Sequence, residues 1–271
     1  MEDERADWDQ LDNEVFTGLN NSEYLFGVLD GFMGKEWVDT ILEDVKRMVS
    51  LGRLQVGDPD FEARTSSSSS SSSCHRFALV GHSECKEEYP ALAELLEQLE
   101  ALPFELNKKC ALKRTKVTEG DFREGEEELG CEDDEVVFFA SPSEISCAVS
   151  HIPAGTCREA CIDGRSRGEP NGREVSFLYV ISSPIGSTVQ LRRRSTGVAE
   201  SNKNFQDGNK YSIRKEGDEF VHNNIITSDV ALVADRLIAY RSLLVSNEIT
   251  ATTEDVFSVT FFASACGKDA P

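Results

Sequence analysis

The sequence predicts a mainly β protein with flanking helices, a jelly-roll supported by two long N-terminal helices. Three observations predict this. Beyond Cys110 the chain breaks into eight or nine short segments rich in Val, Ile, Phe and Tyr, separated by Gly, Asn, Asp or Pro; such segments are strands. Before them lie two stretches whose apolar residues recur at three- and four-residue spacing, the mark of one helical face. The length, 271 residues, suits a single large β domain with extensions.

In chain order, residues 1–24 are polar and acidic and predict a loose leader ahead of one domain over 25–271. LFGVLDGFMG (25–34) predicts a short strand and a turn. KEWVDTILEDVKRMVSLG follows, with Trp37, Ile41, Leu42, Val45, Met48 and Val49 on one face, which predicts a helix over 35–50. Gly52 stands where a glycine closes a helix. Residues 66–73 are eight consecutive serines, so 65–74 predicts a loop inserted in the domain, since such a tract buries no apolar surface. PALAELLEQLEALP (90–103) predicts a second helix, opened by Pro90 and buried through Leu92, Leu95, Leu96, Leu99 and Leu102.

The strand segments are ALKRTKV, EVVFFAS, ISCAVSHI, EVSFLYVIS, STVQLRRR, NKYSIRK, EFVHNNIIT, RLIAYRSLLV and DVFSVTFFAS. The acidic run over 119–135 predicts a solvated loop. His222, in EFVHNNII, is expected near a turn, and His151 as a hydrogen-bonded strand histidine.

The formal charge is −21, from 49 acidic and 28 basic residues. That argues against non-specific binding to nucleic acid or anionic membranes, which needs clustered Lys and Arg, and is compatible with a basic protein partner. There is no run of 18 apolar residues and hence no transmembrane helix to expect. The N-terminus, MEDERADWDQ, lacks the basic and apolar regions of a secretory signal. The expected location is intracellular and cytoplasmic, with the nucleus left open. The eight cysteines include no C-x-x-C. Cys74-His75 with His82-x-x-Cys85 matches no common zinc-finger spacing.

Two stretches carry a resemblance to a known family. HIPAGTCREACID (151–163) aligns without gaps onto a strand pattern Tyr-Pro-Gly-x-Gly-x-x-Tyr-x-x-His-x-Asp, and PNGREVSFLYV (170–180) onto the Asn-Gly-Arg strand that follows it. Asp235-Arg236-Leu237, Arg241-Ser242, Asn247-Glu248-Ile249 and Thr260-Phe261-Phe262 match later strands in order. These patterns resemble the 2-oxoglutarate/Fe(II) oxygenases, in the branch of the prolyl 4-hydroxylases and the hypoxia-factor prolyl hydroxylases. The resemblance implies a double-stranded β-helix, a His-x-Asp…His metal site, and an Arg nine residues beyond the second His that holds the co-substrate carboxylate. It implies Fe(II) and 2-oxoglutarate as cofactors.

At the implied metal positions stand Cys161, Asp163 and Asn247; at the implied co-substrate positions stand His151, Tyr179, Val180 and, in place of the Arg, Val256. Iron in such a site needs two neutral imidazoles and a carboxylate on one face. Asn247 offers only a neutral carbonyl oxygen, and a thiolate beside activated oxygen oxidises itself. Val256 pairs with no carboxylate, and an unpaired buried carboxylate costs on the order of several kcal/mol. Arg158 and Arg241 are the cations left to replace that Arg from another direction.

The expectation is therefore a prolyl 4-hydroxylase-like fold whose catalysis is lost and whose groove serves as a protein- or peptide-binding module, with binding of either cofactor in doubt. The competing reading is an active dioxygenase that hydroxylates a protein side chain through a rewired metal site.

Overall fold

The structure is a computed structural model that describes residues 8–21, 24–56, 75–109, 113–115, 131–140, 147–163, 165–166, 169–170, 172–195, 205–207, 211–216 and 224–267. The serine tract, most of the acidic run, Cys74, Cys110 and His222 lie outside the described residues.

Among the described residues three sheets form, and every strand pair in them is antiparallel. The largest contains β1 (Phe26–Asp30), β2 (Gln55–Val56), β3 (Arg76–Val80), β4 (Lys113–Thr115), β5 (Cys131–Ala140), β6 (Cys147–Ile152), β10 (Arg173–Val180), β15 (Arg236–Arg241) and β17 (Val256–Gly267). Its main order is β1-β15-β10-β17-β6-β3-β2, with β5 also paired to β17 and β4 to β5. A six-stranded sheet has the order β12 (Phe205–Asp207), β13 (Tyr211–Glu216), β14 (Asn224–Ala231), β11 (Thr188–Ser195), β16 (Ser246–Ile249) and β7 (Arg158–Cys161). Strands β8 (Arg165–Ser166) and β9 (Glu169–Pro170) pair apart from both.

Strand periodicity sorts the core into two layers. On β10, Val175, Phe177 and Tyr179 join a cluster with the helices, while Leu178 and Val180 join a second cluster. On β15 the same split separates Leu237 and Ala239 from Ile238 and Tyr240. The second cluster also takes Val189 and Leu191 from β11, Val230 from β14 and Ile249 from β16. The two larger sheets therefore share an apolar interior, as a jelly-roll does.

Helix α3 (Lys35–Ser50) buries Val38, Ile41, Asp44, Val45 and Met48. It ends in a Schellman turn: Gly52 at φ 66° donates to Val49 O and Arg53 donates to Met48 O. The buried Asp44 caps the next long helix, its Oδ2 accepting the N–H groups of Ala91 (2.9 Å) and Leu92 (3.1 Å). A short helix α4 (His82–Cys85) precedes that one, α5 (Pro90–Lys109). The expected stop at Pro103 is corrected: α5 runs on to Lys109 with Pro103 inside it. Leu106 continues the buried stripe, and Asn107 exchanges two 2.7 Å hydrogen bonds with the backbone of Phe138 on β5. Those contacts offset the backbone bond that proline removes. The acidic run also ends earlier than expected, because β5 begins at Cys131.

The loose leader is corrected as well. Residues 8–20 are helical: α1 (Trp8–Gln10) passes through a π-helical stretch (Leu11–Phe16) into α2 (Thr17–Asn20). Leu11, Val15, Phe16 and Leu19 are buried in the helix-side core. Their i, i+4, i+5, i+8 spacing is a helical face within a polar composition, and composition hid it. No helix among the described residues is long and apolar enough to cross a membrane.

Candidate functional site

Strand β7 carries Arg158 and Cys161, the turn after it carries Asp163, and the neighbouring β16 carries Asn247. Cys161 and Asn247 face each other in the ladder. Cys161 and Asp163, two residues apart, lie on one side, so the implied metal positions do converge. The Cys161 thiol is 3.5 Å from Asp163 Oδ1 and 3.7 Å from Asn247 Oδ1. Asn247 Nδ2 donates to Asp163 Oδ1 (3.2 Å) and to the Cys161 carbonyl (3.3 Å). Asp163 and Asn247 are fully buried.

Two side chains complete the cluster. Arg158 Nη2 donates to Cys161 Sγ at 2.9 Å and to Asp163 Oδ1 at 3.3 Å. Tyr240, from β15 in the opposite sheet, donates its hydroxyl to Asp163 Oδ2 at 2.5 Å. Burial, reinforced by the charge of Asp163, pushes the Tyr240 phenol well above its usual range, so it stays a proton donor to that carboxylate.

Sequence periodicity does not place Arg158 here. Residues three apart on a regular strand face opposite ways. The β7–β16 ladder shifts register, however: Cys161 opposes Asn247 and Arg158 opposes Ile249, so that residues 159 and 160 stand opposite Glu248 alone. This β-bulge turns Arg158 inward, so that 158 and 161 are buried while 159 and 160 are exposed.

The implied co-substrate positions divide between the sheet faces. Val180 and Val256 lie in the apolar interior with Tyr240 and Ile249. Tyr179 does not: its neighbour Val180 points inward, so Tyr179 points to the helices, where its hydroxyl donates to Asp235 Oδ1 at 3.0 Å. His151 is likewise on the helix side. It stacks on Phe257 with ring centroids 4.8 Å apart, and its Nε2 is 3.1 Å from Asp255 Oδ2. Of the two candidate replacement cations, Arg158 is engaged with Cys161 and Asp163, and Arg241 lies 3.7 Å from the buried Glu174. A groove of about 440 Å³, lined by Val38, Leu42 and Lys46 of α3 with Ile181, Asp255 and Phe257, opens on the helix side rather than at the interior cluster.

The donor set does not fit the family's iron. Asp163 Oδ1 already accepts from Arg158 and Asn247, and Oδ2 from Tyr240. Neither flanking position is an imidazole, and among the described residues no group of three or more His, Cys, Asp or Glu is placed to hold a metal ion. A 2-oxoglutarate carboxylate reaching Val256 would meet apolar side chains.

Three solved structures share the architecture across nearly the whole chain. A prolyl hydroxylase from Trichoplax adhaerens, in complex with a hypoxia inducible factor oxygen degradation domain peptide fragment, superposes with a TM-score of 0.59 at 16% identity, over 95% of this chain and 90% of that one. The chain has the fold of a prolyl hydroxylase. A Pseudomonas putida prolyl-4-hydroxylase gives a TM-score of 0.53 at 14% identity, over 96% and 97% of the two chains. A prolyl 4-hydroxylase from Phytophthora capsici gives 0.52 at 13%, over 98% of this chain and 68% of the other. No protein-family profile matches the sequence, and no curated protein does. The prolyl hydroxylase fold is thus retained in backbone course with little of the sequence.

Proposed function

We propose that this chain is a non-catalytic form of the prolyl hydroxylase fold that acts as a protein- or peptide-binding module. The observation that carries the reading is the state of Asp163. Its carboxylate oxygens accept from Arg158, Asn247 and Tyr240, leaving the implied ligand committed to protein partners. The Trichoplax protein with the same fold is in complex with a peptide fragment, which supports a peptide as the class of partner. The charge of −21 suits a basic segment and disfavours a polyanion. An intracellular, cytoplasmic setting accords with the cysteine usage.

Isothermal titration of 2-oxoglutarate into the purified protein, with and without Fe(II), tests the catalytic half. No iron-dependent heat and no turnover are expected; micromolar, iron-dependent binding overturns the reading. Fluorescence polarisation with proline-containing peptides of basic and acidic composition tests the binding half. Saturable binding is expected for the basic set, weakening with salt; no binding by either set overturns it.

A further inference from the structure

We propose that the Arg158 guanidinium takes the place of the metal ion, an internal cation that makes this fold independent of iron. The proposal rests on the reading of the site as non-catalytic and names what replaced the catalysis. A jelly-roll that brings a carboxylate and two further ligating positions together at the interior leaves negative charge buried there. That charge needs a positive partner held by several donors. In this chain the partner is covalently attached. Arg158 Nη2 lies 2.9 Å from Cys161 Sγ and 3.3 Å from Asp163 Oδ1, bridging two of the three implied ligand positions. Asn247 bonds to the same Asp163 oxygen.

Two features mark the arrangement as built. The β7 bulge is what turns Arg158 from the outer to the inner face. The guanidinium side chain is 6% exposed and Asp163 is 0% exposed, so this is a desolvated pair and not a surface contact. Tyr240, donating from the opposite sheet, ties this cluster of the six-stranded sheet to the other one. A divalent cation could reach Asp163 only by expelling Arg158, and removing Arg158 would leave a thiol, a carboxylate and an amide oxygen facing a vacancy. Cys161, Asp163 and Asn247 are then positioning residues for a cation, and Arg158 is that cation.

The test uses Co(II), whose bond to a thiolate absorbs light, with thermal melting alongside. Wild type is expected to show no thiolate–cobalt band and no change in Tm with Co(II) or with EDTA. Arg158→Ala is expected to lower Tm by roughly 10 °C. Co(II) should recover part of that loss and bring up a thiolate–cobalt band, which the added change Cys161→Ser should abolish. If Arg158→Ala does not fold, Arg158→Ala with Asp163→Asn decides. Removing both charges is expected to give a folded protein, more stable than the single variant, because no buried charge is left unpaired. A double variant that is no more stable, or that also fails to fold, overturns the proposal, as does a folded Arg158→Ala that ignores Co(II). A thiolate–cobalt band in wild type overturns it too, while leaving the absence of 2-oxoglutarate turnover untouched, so the two readings fail separately.

Discussion

At the residue scale, three buried carboxylates, Asp44, Asp163 and Asp235, each tie together segments far apart in the chain. Asp235 adopts φ 66°, a backbone region costly for a non-glycine residue, and is held there by what its side chain does. Its oxygens accept the N–H groups of Met33 (2.7 Å) and Gly34 (2.9 Å) at the mouth of α3, and the Tyr179 hydroxyl. Burial raises its carboxyl above the ordinary value against those bonds, so its contribution falls as pH rises past the unfolded carboxyl range. Asp235→Ala strands three donors, two of them buried, and is expected to cost about 3 kcal/mol in urea unfolding. Asp255 has the opposite sign. Burial alone would raise it, but the Ala154 N–H, His151 and Lys46 together hold it below its ordinary value of 3.8. A depressed carboxyl contributes stability above its unfolded pKa and loses it as pH falls through the folded one. Melting curves of wild type and Asp255→Asn should therefore differ at neutral pH and converge as the pH drops below 3.8.

At the element scale, the N-terminal helical segment is packed against β1 at a distance only glycine allows. A Cβ on Gly27 would lie 2.5 Å from the Val15 carbonyl oxygen, and one on Gly18 would lie 2.2 Å from the Phe26 carbonyl oxygen. Both obstacles are backbone, which cannot rotate away. Gly27→Ala is expected to destabilise by ~2 kcal/mol or more. Gly52→Ala should cost less, ~1 kcal/mol, because open space surrounds its Cβ position and only its φ of 66° is strained. Thermal melts of the two variants should keep that order, and its reversal would show that the helix can lift from the sheet at little cost.

At the scale of the whole molecule, the helix-side layer is one continuous core, not a barrel with appendages. Leu11, Val15, Phe16 and Leu19 share a cluster with α3, α5 and the outer faces of β10, β15 and β17. Burying four such side chains is worth on the order of 5–10 kcal/mol, comparable to the stability of an entire domain. Deleting residues 1–24 is accordingly expected to abolish cooperative unfolding, as followed by circular dichroism and size exclusion. A truncated chain with an unchanged Tm would return the segment to the status of a leader.

What the sequence determined by itself was the mainly β character beyond residue 110 and the helices that begin at residues 35 and 90, because period-two and period-3.6 patterns and turn residues are local signals. It also placed Cys161, Asp163 and Asn247 together. Cys161 and Asp163 stand two residues apart at the end of β7, and the family resemblance of the later motifs supplied Asn247. The segment over 8–20 carried its helical spacing too, obscured by the acidic residues between. Only the tertiary structure decided the rest. Tyr179 and His151 stand at family-equivalent positions yet face the helices, because strand parity assigns each to a face only once it is known which side is covered by which layer. Arg158 is the sharper case. One extra residue in the β7–β16 ladder reverses its direction, and a bulge is settled by pairing with a strand some 90 residues away, where no local pattern reaches. Its guanidinium meets Cys161 and Asp163 because desolvated charge must find a counter-charge, and that requirement exists only after the two sheets have closed over it.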